Sequence, residues 1–279
     1  TMADFGSQGE LPTHPALLDW LAVEFMESGW DVKHIVRLIV TSSTYQQSSR
    51  VSPEQFARDP ENRLLARGAR FRMNAEMLRD NALAVSGLLV ERHGGPSVRP
   101  YQPKGLWEAV SYDAELEYVQ DTGASLYRRS LYTFWKRQSP PPAMLAFDAP
   151  SRESCVVSRS RTSTPLQALV LLNDPTWVEA ARGLATRTMR EVDSTRPRDL
   201  ARHAFRLATA RFPQPEEARV LLDVFAAQQA EFQNQPEAAR KLLSVGESPV
   251  DASLDPLELA AWTTVMQLIL SLDETLTKE

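Results

Sequence analysis

The sequence has few of the residues that build covalent or metal-bound frameworks. Its single cysteine, Cys155, excludes an internal disulfide, and it lacks the second cysteine and following histidine that covalent haem attachment requires. The four histidines are scattered without a His-x-x-x-His or Cys-x-x-Cys spacing, so no metal site is indicated. We therefore expect no cofactor in this chain.

Long apolar runs are also missing. The longest covers residues 168–172, far below the roughly 20 residues that span a bilayer, so we expect no membrane span. No basic and apolar leader opens the sequence, and any export signal is expected upstream of it. The net charge of −5 argues against a general nucleic-acid binder, because neutralising phosphates needs a basic surface.

Signals for helix starts are frequent. A capping residue followed by proline occurs at His14-Pro15, Asp59-Pro60, Thr164-Pro165, Asp174-Pro175 and Asp255-Pro256. Apolar periodicity predicts a helical hairpin over 15–40, one long helix of about thirty residues after Pro60, and further helices over 165–172, 175–190, 198–210, 215–233, 236–245 and 256–276. The sequence thus predicts a mainly α protein, a multi-helix bundle with a long central helix.

Two stretches depart from the helical pattern. Residues 93–125 mix prolines and glycines with aromatics, which predicts an ordered loop region. Residues 127–136 alternate with period two, which predicts at most a short strand or hairpin near 126–137. We expect a single large helical module over 1–279, with 1–125 and 126–279 as its alternative halves.

A basic block is the sharpest chemical feature. Residues 125–165 hold seven basic and two acidic side chains, whereas 191–279 hold nine basic and fifteen acidic ones. Guanidinium groups bind carboxylate, sulfate or phosphate through paired hydrogen bonds, and neighbouring aromatics stack on sugar rings. The candidate ligand-binding residues are Arg128, Arg129, Lys136, Arg137, Arg152 and Arg161, beside Tyr127, Tyr132, Trp135 and Phe147. The alternative is that these cations pair internally with acids such as Asp80, Asp148, Glu153 or Asp174.

No residue receives a catalytic assignment. Cys155 has arginines nearby that would favour a thiolate, but a free cysteine is more often a buried apolar residue. His14 is interpreted as a cap or a packed structural histidine. Asp113, Glu115 and Glu117 alternate as paired carboxylates would, although nothing fixes their separation.

Several long motifs carry a family resemblance. They are HPALLDWLA (14–22), LIVTSSTYQQSS (38–49), DPENRLLARG (59–68), GGPSVRPYQPKGLW (94–107), YRRSLYTFWKR (127–137), FDAPSRESC (147–155) and TPLQALVLLND (164–174). The chain closely resembles a planctomycete-specific domain of unknown function, planctomycete-specific domain one, over nearly its whole length and least after about residue 210. The resemblance implies the C-terminal part of a large exported protein, periplasmic or extracellular, with any haem in a separate c-type cytochrome domain.

Three hypotheses about function follow. The first is a non-catalytic accessory module of an exported, cytochrome-associated protein, which binds an anionic polysaccharide or a partner domain. The second makes the basic cleft the active site of an enzyme that acts on an anionic polysaccharide. The third is a structural platform that docks the cytochrome domain, for which a large exposed apolar patch is expected.

Overall fold

The structure is a computed structural model that describes residues 6–111 and 117–278. It confirms a mainly α protein, with twelve α-helices and one two-stranded sheet in the described part. The helices are α1 (Pro15–Glu27), α2 (Val32–Thr41), α3 (Pro53–Arg58), α4 (Ala75–Ser86), α5 (Pro142–Ala146), α6 (Pro165–Asn173), α7 (Pro175–Glu191), α8 (Pro197–Thr209), α9 (Pro215–Asn234), α10 (Pro236–Leu243), α11 (Pro256–Leu270) and α12 (Asp273–Leu276). The strands are β1 (Phe71–Arg72) and β2 (Thr277–Lys278). None of these helices is long and apolar enough to cross a membrane.

The chain divides into two compact units. The smaller unit comprises Thr1–Arg72 with Thr277–Glu279, and the larger unit comprises Met73–Leu276. In the smaller unit, β1 pairs antiparallel with β2, so that Phe71 lies opposite Lys278. The boundary at residue 72 lies well before residue 125, and the expectation of one module stays a prediction.

Most predicted helix starts are confirmed. Proline occupies the first turn of α1, α6, α7 and α11, and the side chains of Thr164, Asp174 and Asp255 each accept a backbone N–H of the helix that they precede. Asp31 likewise accepts the N–H groups of Lys33 and His34. These short polar side chains satisfy amide donors that have no partner inside the helix, which fixes where each helix begins.

The prediction of a helix of about thirty residues after Pro60 is wrong. The carboxylate of Asp59 accepts the N–H groups of Arg63 and Leu64 in a turn, and Asn62 and Leu65 adopt positive φ angles that no helix contains. The helix begins at Ala75 and ends at Ser86, and the following Gly87 takes the left-handed conformation. Only the second half of the apolar repeat is therefore helical.

The core lies in the larger unit and centres on α7 and α11. Ala180, Ala181 and Leu184 of α7 are fully buried, as are Trp262 and Val265 of α11. α11 is buried on nearly all sides, which explains why its sequence is apolar all round. Each large apolar side chain buried in this way stabilises the fold by about 1.5–3 kcal/mol.

The segment near 126–137 forms less than a strand. Its described residues contain two short 3₁₀ helices, Gly123–Tyr127 and Ser130–Tyr132. Isolated parallel bridges join Arg128 to Val90 and Thr133 to Val98. The alternation in the sequence therefore reflects extended residues that alternate between bridges and turns.

Candidate functional site

Arg128, the first residue of the predicted basic site, serves the fold. It is 2% exposed, and its guanidinium donates to the carbonyl oxygens of Pro96, Arg92 and Gly94. The same group stacks on the ring of Tyr132, with 3.9 Å from Cζ to the ring centroid. Its donors thus hold the 92–96 loop, and little of their capacity remains for a ligand.

The other basic residues of the block contact separate groups. Arg129 lies 3.6 Å from Glu91, the buried Nζ of Lys136 lies 4.7 Å above the ring of Trp107, and Arg152 stacks on Trp135. Arg137 and Arg161 are exposed. The three hollows described below are lined by other residues, and binding by the block stays a prediction.

The closest described ion pair of the basic block involves an acid other than the four that the sequence suggested as partners. Asp80 accepts the N–H of Ser130, and Asp148 accepts from Thr162, while the close ion pair of this region joins Arg159 to Glu76 at 2.7 Å. Among the aromatics proposed to stack on sugars, Tyr127 and Phe147 are buried at 8% and 6% exposure. Neither ring is therefore accessible for stacking on a sugar.

Among the described residues, the catalytic candidates do not come together in one site. Cys155 is exposed, so the expectation of a buried thiol is wrong. His14 precedes α1 without a side-chain cap, and its Nδ1 lies 2.9 Å from the hydroxyl of Thr13. Asp113 and Glu115 lie outside the described residues, and Glu117 is exposed. The described residues contain no group of three or more His, Cys, Asp or Glu that would hold a metal.

A hollow of about 500 Å³ in the larger unit has both polar and apolar walls. Most of its polar side chains are already engaged. Asp174 caps α7, the hydroxyl of Tyr101 accepts the N–H of Glu247, and Asn173 donates to Leu169. Burial raises the pKa of Asp174 above its ordinary value. These groups act within the fold, whereas Nε2 of Gln102, which also lines the hollow, is buried without a hydrogen-bond partner among the described residues.

The helical hairpin α1–α2 of the smaller unit has an unusual surface. No residue of either helix is buried, and only side chains such as Phe25, Ile35 and Leu38 are half-buried. A helix with as many large apolar residues as α1 normally buries part of them inside a protein. The exposed apolar side chains, here called the apolar face, are Leu17, Leu18, Trp20, Val23, Met26, Trp30, Val32, Val36, Ile39, Val40 and Tyr45.

A hollow opens within this apolar face. It measures about 460 Å³, and its apolar lining comprises Leu17, Trp20, Leu21, Leu38, Ile39, Tyr45, Leu65 and Ala69. Trp20 is 51% exposed at its rim. The amine of Lys278 lies 4.3 Å above the ring of Tyr45. The hollow is thus concave and mainly apolar, with a few polar residues in its lining.

The polar groups beside this hollow are used internally. Asn62 donates to the carbonyl of Arg67, while the guanidinium of Arg67 donates to the carbonyls of Asp59 and Pro60. The hydroxyl of Ser42 donates to Ile39. The hollow therefore offers shape and apolar contact rather than acid–base chemistry.

Sequence reasoning missed this site, although a signal was present. The apolar stripe assigned to α1 comprises Leu17, Leu18, Leu21, Ala22 and Phe25. Trp20, Val23 and Met26 lie off that stripe, between the acids Asp19, Glu24 and Glu27. Large apolar residues outside the main stripe of a helix are the signal that a second surface is covered.

The fold and the hollow define a helical module with an open apolar receptacle. A family model described as PSD1, protein of unknown function (DUF1553), matches residues 1–225, and the chain belongs to this family. Neither the curated proteins nor the solved structures contain a match.

Proposed function

We propose that the chain is a non-catalytic docking module whose apolar face holds another domain of its parent protein. The observation that carries the proposal is α1, which has large exposed apolar side chains both on and off its apolar stripe and has no buried residue. Large exposed apolar patches on monomeric proteins mark interaction surfaces, because leaving such area in water costs free energy. The apolar face is the surface expected of a docking platform.

Trp20 is the proposed anchor of the contact. It borders the hollow beside Leu17 and Ile39, and it remains half exposed. Tryptophan and tyrosine carry a large share of binding free energy at interfaces, since they bury much area with few rotatable bonds. The hollow would accept an apolar side chain from the partner, while Trp20 and Tyr45 cover it.

The proposed partner is a domain of the same exported, cytochrome-associated protein. Support for the parent, its export and its planctomycete origin comes from the resemblance of motifs such as HPALLDWLA and TPLQALVLLND. Haem, where present, belongs to the partner in this proposal. Binding of an anionic polysaccharide by the basic block and enzymatic action on one remain alternative proposals.

Titration calorimetry tests the docking. The separately produced domains of the parent protein, including its cytochrome domain, are each titrated into the chain. We expect one of them to bind, and Trp20→Glu combined with Ile39→Glu to weaken binding tenfold or more. Two carboxylates placed against apolar surface lose hydration without gaining a partner, and roughly 1.4 kcal/mol corresponds to a factor of ten.

The matched control is Val119→Glu combined with Leu131→Glu. Both side chains lie in the larger unit and are exposed, at 63% and 77%. This control adds the same charge and should leave affinity within twofold. The proposal is overturned if no parent domain binds, if both double variants weaken binding equally, or if sedimentation shows that a second copy occupies the apolar face instead.

A further inference from the structure

Three arginines, Arg196, Arg198 and Arg202, gather at the start of α8, and Arg206 follows in its last turn. Arg198, Arg202 and Arg206 follow at four-residue intervals, which places them on one face of the helix. Arg196 precedes the helix and pairs with Asp199 at 2.7 Å. The result is a local basic surface within a half of the chain that is acidic overall.

This surface borders a hollow of about 480 Å³. Three arginines and one aromatic ring dominate its lining, which consists of Arg196, Arg198, Asp199, Arg202, Phe212, Pro213, Pro215 and Ala218. Residues from the first turns of α8 and α9 both contribute to it. The partial positive charge of two helix N-termini therefore adds to that of the side chains.

Phe212 orients two of the guanidinium groups without using their donors. The Cζ atoms of Arg202 and Arg206 lie 4.1 Å and 5.0 Å from the centroid of its ring. A guanidinium stacked on an aromatic face keeps its N–H groups in its own plane, pointing away from the ring. Among the described residues, no carboxylate forms an ion pair with Arg198, Arg202 or Arg206, although the charge of Arg202 also lowers the pKa of Asp199.

The carboxylate that lines the hollow is already satisfied. Asp199 accepts from the hydroxyl of Ser194 and from Arg196, both at 2.7 Å. These two hydrogen bonds hold the pKa of Asp199 below its ordinary value. Arg198 and Arg202 thus line the hollow without an ion pair to a carboxylate of the described chain, and an oxyanion from outside would complete the arrangement.

We propose that this hollow binds an anionic sugar unit of a carboxylated or sulfated polysaccharide. Arg198 and Arg202 would donate paired hydrogen bonds to the anionic group, while Phe212 and the adjacent prolines would face the sugar ring. A nucleic acid fits less well, because a run of phosphates needs an extended basic surface. Here only three arginines line the hollow, and residues 191–279 carry fifteen acids against nine bases.

Calorimetric titration with defined polymers tests this proposal. The probes are polygalacturonate fragments, dextran sulfate, neutral dextran and single-stranded DNA, each at low and at physiological salt. We expect the first or the second to bind, and Arg198→Gln combined with Arg202→Gln to weaken that binding roughly tenfold or more, since charge-assisted hydrogen bonds are among the strong ones. Comparison of the two polymers identifies carboxylate or sulfate as the preferred group.

The matched control is Arg219→Gln combined with Arg240→Gln, which removes two exposed arginines outside the hollow. It changes net charge equally and should leave affinity within twofold. A separate Phe212→Ser variant should also weaken binding, because the guanidinium groups lose their orienting ring. Silence toward both anionic polymers, tighter binding of DNA, or equal losses in the two double variants would each reject the site.

Discussion

At the scale of single residues, a buried polar network decides how the larger unit closes. The carboxylate of Glu179, 1% exposed, accepts the hydroxyl of Tyr127 at 2.8 Å and the N–H of Ser248 at 2.5 Å. Arg182 lies 3.5 Å away and donates to carbonyls at residues 243 and 248. The two hydrogen bonds to Oε1 and the nearby guanidinium offset the cost of burying this carboxylate. The network ties α7 to the loop after α10.

Gly246 is the residue on which this closure depends most directly. Its φ angle is +85°, and a Cβ atom placed there would lie 2.3 Å from Cδ of Glu179. We expect Gly246→Ala to lower the free energy of unfolding by about 2–4 kcal/mol, through backbone strain and displacement of the carboxylate. Urea denaturation measures the change.

Gly105→Ala provides the control for that substitution. Gly105 has a φ angle of +84°, but a Cβ atom there would meet nothing within 4 Å. The control therefore carries the backbone strain alone and should cost about 1 kcal/mol. Equal losses at the two glycines would show that the close approach to Glu179 contributes nothing.

Tyr127 gives the network a signature at alkaline pH. Burial, with the adjacent Glu179 carboxylate, raises the pKa of Tyr127 to about 12 from an ordinary value near 10. Because the pKa of Tyr127 is higher in the folded than in the unfolded state, the stability that the protonated hydroxyl contributes is fully present below a pH of about 10. That contribution is lost as the pH rises toward about 12.

We therefore expect the stability difference between the wild type and Tyr127→Phe to depend on pH. Near neutral pH the variant is less stable by about 1–3 kcal/mol, since Glu179 loses a donor. Above pH of about 10 the gap narrows, because phenylalanine has no proton to lose. Denaturation series at several pH values measure this gap, and parallel stability curves would contradict the assignment.

At the scale of elements, short polar capping residues made the starts of the helices predictable from the sequence. Thr164, Asp174 and Asp255 each accept a hydrogen bond from the first turn of the helix that follows. The predicted bounds of α6 and α7 agree with the structure to within a residue, whereas α11 ends at Leu270 and not near residue 276. A capping hydrogen bond joins residues only two to four positions apart, so it depends little on how the helices pack in the folded protein. This is why the helices of the second half were predictable.

The same signals failed at Asp59-Pro60. There the carboxylate of Asp59 closes a turn, and Gly68 packs so tightly that a Cβ atom would lie 2.4 Å from the carbonyl oxygen of Gln47. That close approach between segments twenty residues apart cannot be seen in local periodicity. Tertiary packing therefore overrode an apolar repeat that favoured a helix.

At the scale of the whole molecule, the two units differ in how much they bury. The larger unit contains every fully buried residue of the described core, whereas α1, α2 and α3 contain no buried residue. Local opening costs least where few apolar contacts must break. The smaller unit is thus expected to open more readily than the larger one.

Hydrogen exchange measured by mass spectrometry checks this expectation. Amides of α7 and α11 should exchange slowest, close to the rate of global unfolding, and those of α1 and α2 should exchange faster by at least tenfold. The exchange of α6, which is short and partly exposed, serves as an internal reference. Similar protection in α1 and α11 would show that the smaller unit is stabilised by contacts that its exposed side chains do not reveal.

The sequence by itself determined the helical class, most helix boundaries and the presence of surplus arginine, because caps, periodicity and charge are local properties. The tertiary structure alone decided which arginines are available. The guanidinium of Arg128 donates to carbonyl oxygens that are distant in sequence. Arg198 and Arg202 lie in a half of the chain whose net charge is negative, so the local charge balance gives no sign of them. It also decided that α1 presents its apolar residues outward. The exposure of a side chain depends on which distant segments pack against it, and local sequence patterns do not contain this information.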